Sequence, residues 1–132
     1  AFIAKRARRV YGIEEVKQAV YDARQNARDN RLDNCEFEYG KAESILGKLH
    51  NDNVEVDAMV LDPPRGGCSE RVLGYMMKME PDRIVYASCN IGTLARDLVY
   101  FKDHGYTVTE VKPFDMFPQT YHVECLAKIE RL

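Results

Sequence analysis

Residues 84–97 constrain the possible folds more than any other stretch of this chain. Four apolar residues, Ile84-Val85-Tyr86-Ala87, break into a polar tip, Ser88-Cys89-Asn90, and a helical pattern follows through Leu94 and Asp97. A short apolar run bounded by a turn signal fits a strand buried in a parallel sheet. Open α/β sheets carry their chemistry beyond the carboxyl ends of such strands. Cys89 stands at one of these ends. Two readings of it are open: a reactive thiol at a strand end, or a small buried hydrophobe, the commonest fate of a free cysteine.

The same alternation runs along the whole chain. Residues 1–8 read as the last turns of a helix, 9–13 as a strand with Glu14 just past it, and 15–31 as a helix with Val16, Ala19, Val20, Ala23 and Ala27 at helical spacing. A weak strand over 34–39 and a helix over 42–49 follow. The apolar run 56–61 is stopped by Asp62-Pro63-Pro64-Arg65-Gly66-Gly67, because proline cannot donate to a sheet ladder. Ser69 is placed to cap a helix over 70–79 with Val72, Leu73, Met76 and Met77 inward. A strand over 83–87, a helix over 93–104 ended by Gly105, and strands over 106–112 and 123–129 complete the order. Strands alternating with helices argue for a mostly parallel sheet with helices on both faces. The last two strands lack an intervening helix and are expected to pair antiparallel.

At 132 residues the chain is read as a single α/β domain, 1–132. No apolar run approaches the ~18–20 residues of a membrane helix, so no membrane partner is expected and the cytoplasm is the expected location. With 19 basic and 21 acidic residues the net charge is −2. Phosphate neutralisation supplies most non-specific nucleic-acid affinity, so this chain by itself is not expected to hold RNA or DNA strongly. Cys35, Cys68, Cys89 and Cys125 stand far apart with no CxxC pair, which argues against a metal centre within the chain.

Three further positions carry chemical types of interest. Glu14 follows an apolar strand and precedes a helix; a carboxylate there can accept both hydroxyls of a ribose, or can serve only to complement a helix start. Asp62 ends a strand in a proline-stiffened turn, which has a surface-turn reading too. Glu124 is expected inside an otherwise apolar strand, where partial desolvation would suit it to proton exchange; an outward-facing residue is the other reading. His122 has the weaker claim, and a structural hydrogen bond is its expected role.

Together, LDPPRGG, IVYASCNIGTLARDL and DMFPQTYHVE resemble the RNA uracil-C5 methyltransferases, which make 5-methyluridine in ribosomal or transfer RNA with S-adenosylmethionine. VYGIEEVKQAVYDARQNARDN resembles the cofactor-binding stretch of that family, so the likeness covers essentially the whole chain. One departure is Ile91, where the commoner form of the motif has proline; it is expected to alter loop stiffness and not chemistry.

The resemblance implies a Rossmann-like methyltransferase sheet, and it implies roles residue by residue. Cys89 would be the nucleophile and Glu124 the general base. Glu14 would hold the cofactor ribose, Lys41 and Ala42 the adenine, and Asp62 would lie beside the cofactor and the base. Arg65 and Asn90 join Asp62 on the substrate side. C5 of uracil is a poor nucleophile; addition of a thiolate at C6 raises its electron density, and a base must later remove the C5 proton. A free cysteine has a pKa near ~8.5, so Cys89 is expected to need local positive potential or a proton acceptor. The uracil must also be flipped out of any stack.

The glycine-rich first strand of that family, its RNA-binding domain and its occasional iron–sulfur cysteines are not in this sequence. The chain therefore reads as the C-terminal part of a larger enzyme, reaching RNA (ribosomal rather than transfer) through domains outside it. Such a fragment is expected to bind cofactor poorly and to be inactive alone. Its sheet would lack a central strand, to be made good by direct pairing or by a homodimer. The competing readings are a nucleic-acid amino-methyltransferase, whose related Asp-Pro-Pro loop ends in an aromatic residue where this chain has Arg65, and a non-catalytic module of the same fold.

Overall fold

The computed structural model describes residues 2–116, 118–120 and 123–132. The described residues group into two compact units, the first ending at Asp52 and the second running from Asn53 to Leu132.

The first unit opens with a 3₁₀ turn, Ile3–Arg6, in place of the expected helix end. Asn34 ties it down: its amide donates to the carbonyls of Ala4 and Ala7, both at 2.8 Å. Strand β1 (Val10–Glu14), helix α1 (Lys17–Asp29), strand β2 (Cys35–Tyr39) and helix α2 (Ala42–Asn51) follow. β1 and β2 pair in parallel, from Val10 beside Cys35 to Glu14 beside Tyr39. Val20 and Ala27 of α1 and Leu46 and Leu49 of α2 are buried. Glu14 is thus the last residue of its strand and not the first beyond it.

The second unit contains β3 (Ala58–Leu61), α3 (Glu70–Met79), β4 (Arg83–Ser88), α4 (Ile91–Asp103), β5 (Tyr106–Phe114) and β6 (Glu124–Arg131). The strands lie in the order β3-β4-β6-β5, in a sheet separate from β1-β2. Direct pairing therefore does not make all six strands one sheet. β3 and β4 are parallel, while β6 runs antiparallel to both β4 and β5, as the missing helix between the last strands requires. Pro113 falls in β5, an edge strand, where a missing N–H costs no ladder bond on the solvent side.

One face of this sheet is the core. Ile84, Tyr86, Ala127 and Ile129 are buried on it beneath Met76 of α3 and Leu94 and Phe101 of α4. The Phe101 ring meets Tyr86 and Tyr106 edge-on, at centroid distances of 6.5 and 6.2 Å. The opposite face carries Val60, Val85 and Leu126, which are exposed. Alternation of side chains along each strand sorts the two sets.

Helix ends follow local chemistry. Ser69 caps α3, its hydroxyl accepting from the Val72 N–H at 3.3 Å. Gly105, at φ +87, takes the left-handed conformation that ends α4. α4 begins two residues earlier than its apolar period implies, because the Asn90 side chain caps it, accepting from the Gly92 and Thr93 N–H groups at 3.0 and 3.4 Å. Ile91 therefore occupies the first helical position, the one helical site that welcomes proline. No helix among the described residues is long and apolar enough to cross a membrane.

The Ser69 cap supplies a direct test. Ser69→Ala should lower stability by about 1 kcal/mol, read as a fall in the urea midpoint with an unchanged slope.

Candidate active site

The antiparallel ladder between β4 and β6 ends next to the two residues of greatest chemical interest. Its register runs from Arg83 beside Glu130 to Ala87 beside Leu126 and Ser88 beside Cys125. Cys89 follows Ser88 and Glu124 precedes Cys125, so the two flank the last pair of the ladder. Glu124 opens β6, where it pairs with Phe114 of β5, instead of lying inside an apolar strand. It is half-buried, whereas Cys89 is exposed. His122, Tyr121 and Phe117 of the same motif lie outside the described residues.

The tip carrying Cys89 is shaped by its neighbours. The Ser88 hydroxyl donates to the Asn90 carbonyl at 3.0 Å and accepts from the Asn90 N–H at 3.1 Å, closing the chain around Cys89. Asn90 then turns its side chain to two tasks. Its oxygen caps α4, and its amide donates to the Arg65 carbonyl at 3.2 Å. The Thr93 hydroxyl lies 3.2 Å from the carbonyls of both Arg65 and Asn90, and its single proton serves one at a time. Cys89 and the loop that carries Asp62 and Arg65 are thereby joined through α4. The side chains of Asp62 and Arg65 are exposed at the end of β3 and in the turn after it.

Beneath the loop lies a buried carboxylate. Asp97 has no exposed surface. It accepts from the Cys68 N–H at 2.9 Å, from the Tyr86 hydroxyl at 2.5 Å and from Arg96 Nε at 2.8 Å. The Arg96 guanidinium goes on to donate to the carbonyls of Gly66 and Cys68, both at 3.1 Å. Burial, reinforced by the bond to Asp97, pushes the Tyr86 phenol well above its ordinary range. Burial likewise pushes the Cys68 thiol up. Gly67 sits at φ +76 with Arg96 Nη2 and Asp97 Oδ2 only 2.6 and 2.7 Å from where a Cβ would be. Any other residue there would strike the two charged groups.

Tyr86, Ser88, Thr93, Arg96 and Asp97 escaped the sequence reading as site residues. The signal for Asp97 was present: with Leu94 and Phe101 it falls on the buried stripe of α4, where a carboxylate needs partners.

The residues the resemblance assigns to the cofactor lie partly in the first unit. Glu14 is exposed, with one carboxylate oxygen accepting from the Val16 N–H at 2.8 Å. Lys41 precedes α2 with extended backbone and Ala42 begins the helix, whose first amides have no intrahelical acceptor.

Comparison with known proteins gives a consistent result. The family model described as tRNA (Uracil-5-)-methyltransferase matches residues 2–132. An RNA methyltransferase of Caldanaerobacter subterraneus subsp. tengcongensis is 51% identical over 131 residues, which are 99% of this chain and 29% of that protein. A Bacillus cereus RNA methyltransferase is 47% identical over 99% of this chain and 28% of its own length. The chain thus spans less than a third of these relatives. Among solved structures, the Pyrococcus abyssi tRNA (uracil-54, C5)-methyltransferase in complex with S-adenosyl-L-homocysteine superposes with a TM-score of 0.78 at 36% identity, covering 97% of this chain and 30% of that one. An rRNA methylase from Streptococcus thermophilus reaches 0.76 at 15% identity over 99% of this chain and 78% of its own, a likeness of fold alone. The α/β architecture is that of a Rossmann-like methyltransferase.

Two outcomes follow from the geometry. Under mild alkylation of the folded protein, Cys89 should be modified well before Cys68 and Cys125, as peptide mass mapping at successive times would show. Gly67→Ala should cost on the order of 1–3 kcal/mol in denaturant unfolding, since it combines an unfavourable φ with a clash.

Proposed function

The chain belongs to the tRNA (uracil-5-)-methyltransferase family, and on that premise we propose that the whole protein methylates C5 of a uridine in RNA. Cys89 is the nucleophile and Glu124 the base. The observation that supports this reading is the end of the β4–β6 ladder at Ser88 beside Cys125, which the exposed Cys89 follows on one strand and the half-buried Glu124 precedes on the other, although 35 positions (124 − 89) separate them in sequence. A methyltransferase acting on an exocyclic amine has no use for that pair.

The chemistry follows from the two groups. The Cys89 thiolate adds to C6 of the flipped uracil, and the C5=C6 electron pair moves toward the C4 carbonyl, so that C5 becomes nucleophilic. The N-terminus of α4 begins just past Cys89 and favours negative charge near its first turn. Once C5 carries the methyl group, Glu124 takes the C5 proton. The C5–H electron pair, by way of the C4 enolate, restores C5=C6 as the C6–S bond breaks and the thiolate leaves. Arg65 and Asn90 orient the base from the loop and the tip, with Asp62 between cofactor and substrate.

S-adenosylmethionine supplies a methyl group on a positively charged sulfur. The residues present suit it. The exposed Glu14 carboxylate keeps acceptor capacity for a ribose diol beyond its bond to Val16. Lys41 and Ala42 offer main-chain groups to the adenine.

In the full-length protein, Cys89→Ala should abolish covalent trapping of RNA containing 5-fluorouridine, because fluorine cannot leave as a proton. Glu124→Gln should let the adduct with ordinary uridine RNA accumulate, seen as a slow band in denaturing electrophoresis. Trapping that survives loss of Cys89 would sink the reading. Mapping 5-methyluridine in RNA from cells lacking the gene decides between the ribosomal substrate expected from sequence and the transfer RNA of the Pyrococcus abyssi enzyme.

A further inference from the structure

We propose that Arg96 and Asp97 act as a positioning pair that sets the loop 62–68 against the Cys89 end of β4. The inference rests on the uridine-methylation reading and adds to it two residues that touch neither the base nor the thiol.

Three elements meet at Asp97. Strand β4 sends Tyr86, three positions before Cys89, to donate its hydroxyl at 2.5 Å. The loop sends the Cys68 N–H at 2.9 Å. Helix α4 supplies Asp97 itself and the neighbouring Arg96, bound through Nε at 2.8 Å. A carboxylate wholly removed from water needs such donors, and each is stronger for being charge-assisted. Arg96 is spent on the loop as well. One guanidinium nitrogen holds the Gly66 and Cys68 carbonyls at 3.1 Å, and Asp97 fixes the plane from which it does so. Gly67 lies between these carbonyls at φ +76, with the room of a hydrogen and no more. Asn90 and Thr93 add the Arg65 carbonyl from the same face of α4.

The loop therefore has its path dictated from beneath by α4 at three carbonyls and one amide. Its exposed side chains, Asp62 and Arg65, are the ones the proposed reaction uses beside Cys89. Catalytic geometry is sensitive to displacements on the order of 1 Å. The pair's contribution is accordingly to turnover as well as to the fold.

The test uses the full-length protein. Arg96→Gln is the principal variant: more than half of the Arg96 side chain is exposed, so its loss leaves no hole in the core. Tyr86→Phe is the second, keeping the buried ring and removing only the donor to Asp97. Melting temperature, kcat and KM for RNA, and the rate of 5-fluorouridine trapping are measured together. Arg96→Gln should lower the melting temperature, since it takes the cation from the buried Asp97 carboxylate, but at a temperature where the variant is fully folded KM should stay at the wild-type value while kcat and the trapping rate fall about tenfold to a hundredfold. Tyr86→Phe should shift kcat in the same direction by a smaller factor. Wild-type kcat and trapping in Arg96→Gln would overturn the inference, as would a loss of activity no greater than the loss of folded protein. If the wild-type protein itself traps no RNA, the uridine reading fails first and takes the inference with it.

Discussion

A carboxylate with no exposed surface cannot stand alone, and the second unit is arranged around the partners Asp97 demands. A strand, a loop and a helix each supply a donor, so none of the three can shift without leaving charge uncompensated. That requirement fixes what the hydrophobic core leaves free. Ile84, Ile129, Phe101 and Met76 would pack α4 onto the sheet in any case, yet apolar contact has no direction and could not specify how the loop after β3 runs across the top. Hydrogen bonds to one buried acceptor can.

The register between β4 and β6 works on the chemistry in a similar way. Antiparallel pairing is set by side-chain alternation: a slip of one residue would turn Ala127 and Ile129 out of the core. Burial of ordinary aliphatic residues in the middle of the sheet thus fixes the pairing as far as Ser88 and Cys125, the neighbours of Cys89 and Glu124. Ser88 then holds the tip in a tight loop, and Asn90 hands the chain on to α4.

Much of this was legible in residue order. Apolar runs broken by proline, glycine or polar tips marked all six strands, and helical spacing marked all four helices, because both periods are local properties. Ser69 announced itself as a cap. The expectations that missed were those decided by distant partners. Glu14 and Glu124 turned out to be terminal residues of strands, since strand ends are set by where the neighbour stops bonding. The strand order β3-β4-β6-β5 is a matter of pairing that no stretch of sequence displays by itself. The start of α4 came two residues early, because the Asn90 side chain caps it. Asp97 sat in full view within the LARDL motif, but a charged residue on an apolar stripe declares a need without naming who meets it.

The loop after β3 has one further property. Arg65 and Gly66 are gripped by their carbonyl oxygens, which every amino acid possesses, and the arginine side chain at 65 points away from that grip into solvent. The loop is a socket with an interchangeable fitting. Whatever residue occupies position 65 inherits the same platform, so the side chain displayed there can be exchanged without redesigning the scaffold that presents it.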